Sequence, residues 1–188
     1  LSYLFSTNPS HTDDYTFYDN ISHVTTLQLN DLLSKSKTRG TEHTFQADFT
    51  HSLSATQRLN FGGKYIARIN KSDSRFYDVA ADKSETQNPA NSMEYKNTQN
   101  ILAAYAEWKG NFGKIGTILG TRYEQTWEKV KFEQGKGDNF DKNYGNFVPS
   151  ASLSYSITPG VNLGVNYSMR ITRPGITYLN PYVDRSNP

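Results

Sequence analysis

The sequence predicts an all-β fold: an antiparallel meander of about seven strands, forming part of a transmembrane β-barrel with short turns at one end and long loops at the other. Three observations predict it. The stretch Phe147–Ile171 alternates Pro149, Ala151, Leu153, Tyr155 and Ile157 against four serines. After Thr158-Pro159-Gly160 it alternates Val161, Leu163, Val165, Tyr167, Met169 and Ile171 against Asn162, Gly164, Asn166, Ser168 and Arg170. That is a hairpin with a period of two, and no Asp, Glu, Lys or Arg occurs between Phe147 and Met169. Such a face is turned to something other than water. The second observation is aromatic content: 13 Tyr, 10 Phe and 2 Trp stand in a chain whose mean hydropathy is only −0.72. A membrane barrel hides from such averages, because only alternate strand residues meet lipid. The third is the sorting of connections, taken up below.

The elements follow in order. Leu1–Ser6 reads as the end of one strand, and Thr7–Gly40 as a long polar stretch with apolar islands at Tyr15–Tyr18 and Val24–Leu33. Thr41–Leu53 places Phe45, Ala47, Phe49 and His51 on one face and Thr44, Gln46, Asp48 and Thr50 on the other. Beyond Ser54–Arg58, Leu59, Phe61, Gly63, Tyr65, Ala67 and Ile69 face away from Asn60, Gly62, Lys64, Ile66, Arg68 and Asn70. Lys71–Lys96, charged and broken by Asn88-Pro89, reads as loop. In Asn97–Lys109 the faces are Leu102, Ala104, Ala106 and Trp108 against Ile101, Ala103, Tyr105 and Glu107, and the orientation stays ambiguous. After Gly110–Gly113, Ile115, Thr117, Leu119, Thr121 and Tyr123 oppose Gly116, Ile118, Gly120, Arg122 and Glu124. Trp127–Asn146 reads as a charged loop, and the uncharged hairpin follows it.

Short links (54–58, 110–113, 158–160) therefore alternate with long ones (7–40, 71–96, 127–146). A meander so connected has all its short turns at one end. Outer-membrane barrels have this asymmetry, with short periplasmic turns and long external loops, whereas soluble sandwiches need not. Strands of about 11 residues match a tilted span of the hydrocarbon layer. Unpaired backbone groups are costly in lipid, so a spanning sheet must close on itself. About seven strands fall short of the smallest closed barrel, of eight, so the chain reads as an excerpt of a longer protein. Pro149 fits the start of a strand and not its middle. Tyr65, Tyr123, Tyr155, Tyr167, Phe45, Phe61 and Phe147 are candidates for the interfacial aromatic girdles.

Other chemistry is poorly supported. A net charge of +2 gives no reason to expect nucleic acid as a partner. No Cys occurs, which excludes disulfides and thiolate metal sites. His11, His23, His43 and His51 lack metal-ligand spacing, and Asp141–Gly145 begins like a calcium loop but meets Ser152 where the closing Glu belongs. No nucleophile–base–acid set, phosphate loop or dinucleotide motif can be assembled, so neither an enzyme nor a cofactor or metal site is expected.

The segment NFVPSASLSYSITPGVNLGVNYSMRITRPGITYLNPYVDRSNP resembles the β-barrel region of TonB-dependent outer-membrane receptors of the Bacteroidetes type. The PSASLSY strand, the NYSMRITRP strand end with Arg170, Arg173 and Pro174, and the LNPY at Leu179–Tyr182 carry the likeness. QADFTHSL with RLNFGGKY, and NILAAYAEW with GTRYEQT, look like preceding strand pairs. The resemblance implies a wall section of a receptor in the cell outer membrane of a Gram-negative bacterium, without its plug domain. Its partners would be outer-membrane lipid, that plug, the TonB system and a nutrient substrate of unknown identity.

Arg68, Arg122, Glu124 and Arg170 fall on the predicted lumen face. They are candidate substrate or plug contacts, set against a plainer reading as an inward ladder of ion pairs, since the lumen tolerates charge cheaply. Arg173-Pro174 and Asn180-Pro181 are expected to stop the last strand and shape an external loop. Two rivals remain: a non-transporting barrel or surface adhesin, and a soluble secreted β-sandwich.

Overall fold

Alternation of β-branched and aromatic residues with small polar ones favours extended backbone, and the described residues are extended nearly throughout. The computed structural model describes residues 1–17, 30–135 and 137–172. Its strands are β1 (Ser2–Thr16), β2 (Asp31–Ser54), β3 (Gln57–Val79), β4 (Glu85–Gln87), β5 (Met93–Phe112), β6 (Ile115–Gln134), β7 (Phe140–Thr158) and β8 (Val161–Ser168). Seven form one antiparallel sheet in the order β1-β2-β3-β5-β6-β7-β8, and the three-residue β4 pairs with the far end of β3. No helix occurs among the described residues. The sheet is not closed: within them β1 pairs only with β2, and β8 only with β7.

The strands are longer than expected. β2 has 24 residues and β3 has 23, not about 11. Most of the segments read as loops are strand extensions. Thr7–Thr16 continues β1, Asp31–Gly40 opens β2, Lys71–Val79 continues β3, and β6 runs to Gln134 before β7 resumes at Phe140. The reason is pairing. Polar residues such as Lys35, Ser36, Asp73 and Ser74 give no apolar alternation, yet each has a cross-strand partner that satisfies its backbone. The extensions also carry an apolar knot, where Met93, Tyr95 and Val130 are buried against Phe132 and Phe140. From β2, Lys35 Nζ donates to Glu85 of β4 at 2.9 Å, and that bond holds the Lys35 ammonium above the ordinary lysine range. The island Val24–Leu33 lies largely outside the described residues, as do Arg173-Pro174 and Leu179–Tyr182.

Pro149 sits inside β7, not at its start. The hydrogen-bond directions explain why it is tolerated. The Pro149 carbonyl accepts from the Met169 amide at 3.2 Å, on the β8 side. A strand residue points its N–H and C=O to the same side, so the donor that proline lacks is missing toward β8. The β6–β7 ladder is untouched, with Pro149 opposite Thr121. The β7–β8 register would place Pro149 across from Met169, and β8 ends one residue short, at Ser168. Pro149→Ala should restore a donor to the Met169 carbonyl. The new amide is expected to exchange slowly with solvent; exchange as fast as a free loop amide would contradict this account.

Register settles which side chains share a face. Tyr3, Phe45, Tyr65 and Leu102 are successive partners across four strands, so Leu102, Ala104, Ala106 and Trp108 join the apolar face. Leu119, Ala151 and Tyr167 continue it, as do Thr117, Leu153 and Val165. Among the described residues this face has no second layer. Leu153, Tyr155, Leu163 and Val165 are 53%, 44%, 61% and 67% exposed. In water that is a large penalty; against hydrocarbon it is none. Phe49 stacks on Phe61 with ring centroids 5.6 Å apart, and Tyr3 meets Phe45 at 4.8 Å, so rings pack along the surface and not beneath it.

Candidate functional site

The opposite face carries the polar groups, in rows that run across the strands. Glu42, Arg68, Gln99 and Glu128 are successive register partners on β2, β3, β5 and β6. Arg68 donates to the Glu42 carboxylate through Nε at 2.8 Å and pairs with it through Nη2 at 2.6 Å. Its Nη1 reaches Gln99 Oε1 at 3.1 Å. Asn97 Nδ2 donates to Glu128 at 3.0 Å, and Thr44 Oγ1 to Glu42 at 3.2 Å. The row is a hydrogen-bonded relay of two carboxylates, one guanidinium and neutral amides, with each group held by the strand pairing beneath it.

A second row joins Asp48, Gly62, Tyr105 and Arg122. The Tyr105 hydroxyl donates to Asp48 across Gly62, and Arg122 lies over the Tyr105 ring at 5.8 Å. Arg122 also pairs with Glu124, which is 5% exposed. Gly62 permits the crossing: a Cβ there would sit 2.7 Å from the Tyr105 hydroxyl and would also meet the Ala47 carbonyl. A third row takes Thr50 to Asn60 at 3.0 Å, Asn60 to Glu107 at 3.0 Å, and Lys109 to Glu107 at 3.1 Å.

Arg68, Arg122 and Glu124 therefore lie on the predicted face, in two neighbouring networks. Arg170 does not join them; it is exposed, two residues beyond the end of β8. Glu42, Asp48, Gln99, Tyr105 and Glu128 belong to the same rows, and sequence reasoning did not single them out. Parity would have found the first four once register was known. Glu128 was hidden inside a segment read as loop.

The Glu42–Arg68 pair is partly exposed, at 28% and 35% of the side chains, so its contribution is modest. Glu42→Gln should lower the unfolding free energy by about 1 kcal/mol or less. Arg68→Met should cost more, because it leaves Glu42 and Gln99 without their shared donor. Equilibrium unfolding of the intact protein in lipid checks the order; equal losses would place the ladder outside the stability balance.

An unbacked apolar face on one side, and a face of paired charges on the other, define the wall of a membrane-spanning β-barrel. The outer membrane protein beta-barrel family matches residues 1–188, and the chain belongs to that family. Its place is the outer membrane, with the apolar face against lipid and the charged rows toward the barrel interior. No curated protein matches the sequence. Among solved structures, the chain is similar to the ferric citrate transporter FecA in its unliganded form, with a TM-score of 0.51 and 16% identity. The match covers 87% of this chain and 24% of that one, so the chain spans about a quarter of the transporter's length. At that identity the likeness is one of fold alone.

Proposed function

We propose that this chain is a wall segment of a TonB-dependent outer-membrane receptor that takes up nutrients. The observation that carries the reading is the pair of charged rows on the inner face. An interior lined this way is kept wet or filled by a polar plug, as an uptake route requires, and not packed with apolar side chains. The fold likeness to a TonB-dependent transporter supports it, as does the sequence resemblance at Phe147–Pro188. In this reading further strands close the barrel, a plug domain fills it, and TonB supplies the energy. Arg68, Arg122, Glu124 and Arg170 touch the plug or the passing substrate.

Growth of a strain lacking the intact protein tests the proposal. On the nutrient concerned (a glycan, a peptide or a metal chelate as sole source), the strain should grow poorly, and loss of TonB should reproduce the defect. Arg68→Gln/Arg122→Gln should alter the concentration at which uptake is half-maximal while the protein still reaches the membrane. Unchanged uptake on every such source, with the protein mediating surface attachment instead, would favour an adhesin or structural barrel.

A further inference from the structure

The apolar face ends in a row of cations. Arg39, Lys71, Lys96 and Lys131 are successive register partners on β2, β3, β5 and β6. Parity places all four on the lipid-facing side, in line with Phe45, Tyr65, Leu102 and Tyr123. On β3 the outward series is Leu59, Phe61, Gly63, Tyr65, Ala67, Ile69 and then Lys71, so the first charge falls at the next outward position after the last apolar residue. Lys129 lies one outward position below Lys131 on β6.

Four like charges directly opposite one another destabilise a sheet unless something neutralises them. Among the described residues no carboxylate forms an ion pair with any of the four. The nearest acids stand one position further out on the same face and line the same cleft. Asp73 and Glu94 occupy the next row out, opposite Lys37 and Gln134, and Asp73 is taken by Arg75 at 3.0 Å. Glu133 flanks the row, and Asp141 stands opposite Lys129. Lys37, Arg39, Lys71 and Lys96 line an open cleft of about 500 Å³ together with Asp73, Glu94 and Glu133, so cations outnumber acids there by one.

Height decides what can fill it. The row stands roughly sixteen residues from the tight turns, which at about 3.3 Å per residue and a tilt near 40° is about 40 Å along the membrane normal. That is the full bilayer thickness with its headgroups. The other rim has no such feature: Leu53, Gln57, Phe112, Ile115, Tyr155 and Ile157 carry no charge on that side.

We propose that this cationic row is a binding surface for phosphate-bearing lipid headgroups of the outer leaflet, the leaflet on the side of the long connections. Phosphate oxygens bridge the cations from outside while the acyl chains lie along Tyr65, Leu102 and Trp127. The surface belongs to the lipid-facing wall, and it holds whether or not the barrel transports.

The test uses the full-length protein in neutral detergent, titrated by native mass spectrometry with lipid A and with phosphatase-treated lipid A. Wild type should retain the phosphorylated form. Lys71→Gln/Lys96→Gln/Lys131→Gln should weaken retention by about fivefold per cation, roughly a hundredfold in all. Lys71→Arg/Lys96→Arg/Lys131→Arg should keep it, as should the control Arg58→Gln/Lys64→Gln/Lys109→Gln, which removes equal charge elsewhere. Inorganic phosphate at millimolar concentration should not raise the melting temperature; a rise abolished by the Gln variant would assign the row to free phosphate instead. Melting also guards against misfolding. The Gln variant should melt higher than wild type in neutral detergent, with the repulsion gone, and lower in vesicles containing lipid A. Equal retention of both lipid forms, or equal loss in the control, overturns the proposal.

Discussion

Leu153→Asp is expected to cost the intact barrel about 2–4 kcal/mol of folding free energy in a bilayer, while the neighbouring Ser154→Asp costs under about 1 kcal/mol. Leu153 lies on the exposed apolar face between Thr117 and Val165. A carboxylate there must either strip its hydration or drag water into the hydrocarbon. Ser154 lies one residue along, on the polar face between Gly116 and Gly164, where its hydroxyl donates to the Gly116 carbonyl at 3.2 Å. Replacing it removes one weak bond and adds a charge to a wet surface. Urea titration of folding into vesicles separates the two. Losses of equal size would reverse the assignment of faces.

Gly62→Val should be the most damaging change on the polar face, at about 2–4 kcal/mol. Any side chain there meets the Tyr105 hydroxyl and the Ala47 carbonyl. Tyr105 must then swing away and surrender its bond to Asp48, which loses a donor. A double-mutant cycle with Tyr105→Ala tests the mechanism. With the ring gone, valine is expected to cost at least 1 kcal/mol less, and strict additivity would show that the clash is with backbone alone.

The faces of this sheet were legible from residues, and its dimensions were not. Alternation at Thr41–Leu53, Leu59–Asn70 and Phe147–Ile171 separates apolar from polar positions because the period of two is a property of extended backbone. Leu102 was ambiguous, since Ile101, Leu102, Ala103 and Ala104 are all small or apolar, and only pairing with Tyr65 resolves it. Strand ends failed for a different reason. Above the membrane both faces of a strand are wetted, so Lys35–Gly40 and Lys71–Asp78 show no apolar alternation, although the ladder continues. Pro149 failed because its cost depends on which neighbour its nitrogen faces, a property of topology. Of the candidate site, Arg68, Arg122 and Glu124 were visible through parity, whereas their partners required register.

The length of the strands bears on how the molecule weathers its surroundings. A protease needs several residues of backbone free to enter its cleft, and paired strands deny it that. On the outer side, β5 and β6 stay paired from Glu94 and Gln134 downward, and β6 and β7 from Val130 and Phe140. Among the described residues, nicking of intact cells should therefore fall within 80–84, 88–92 and 137–139, leaving fragments that stay clasped until denatured.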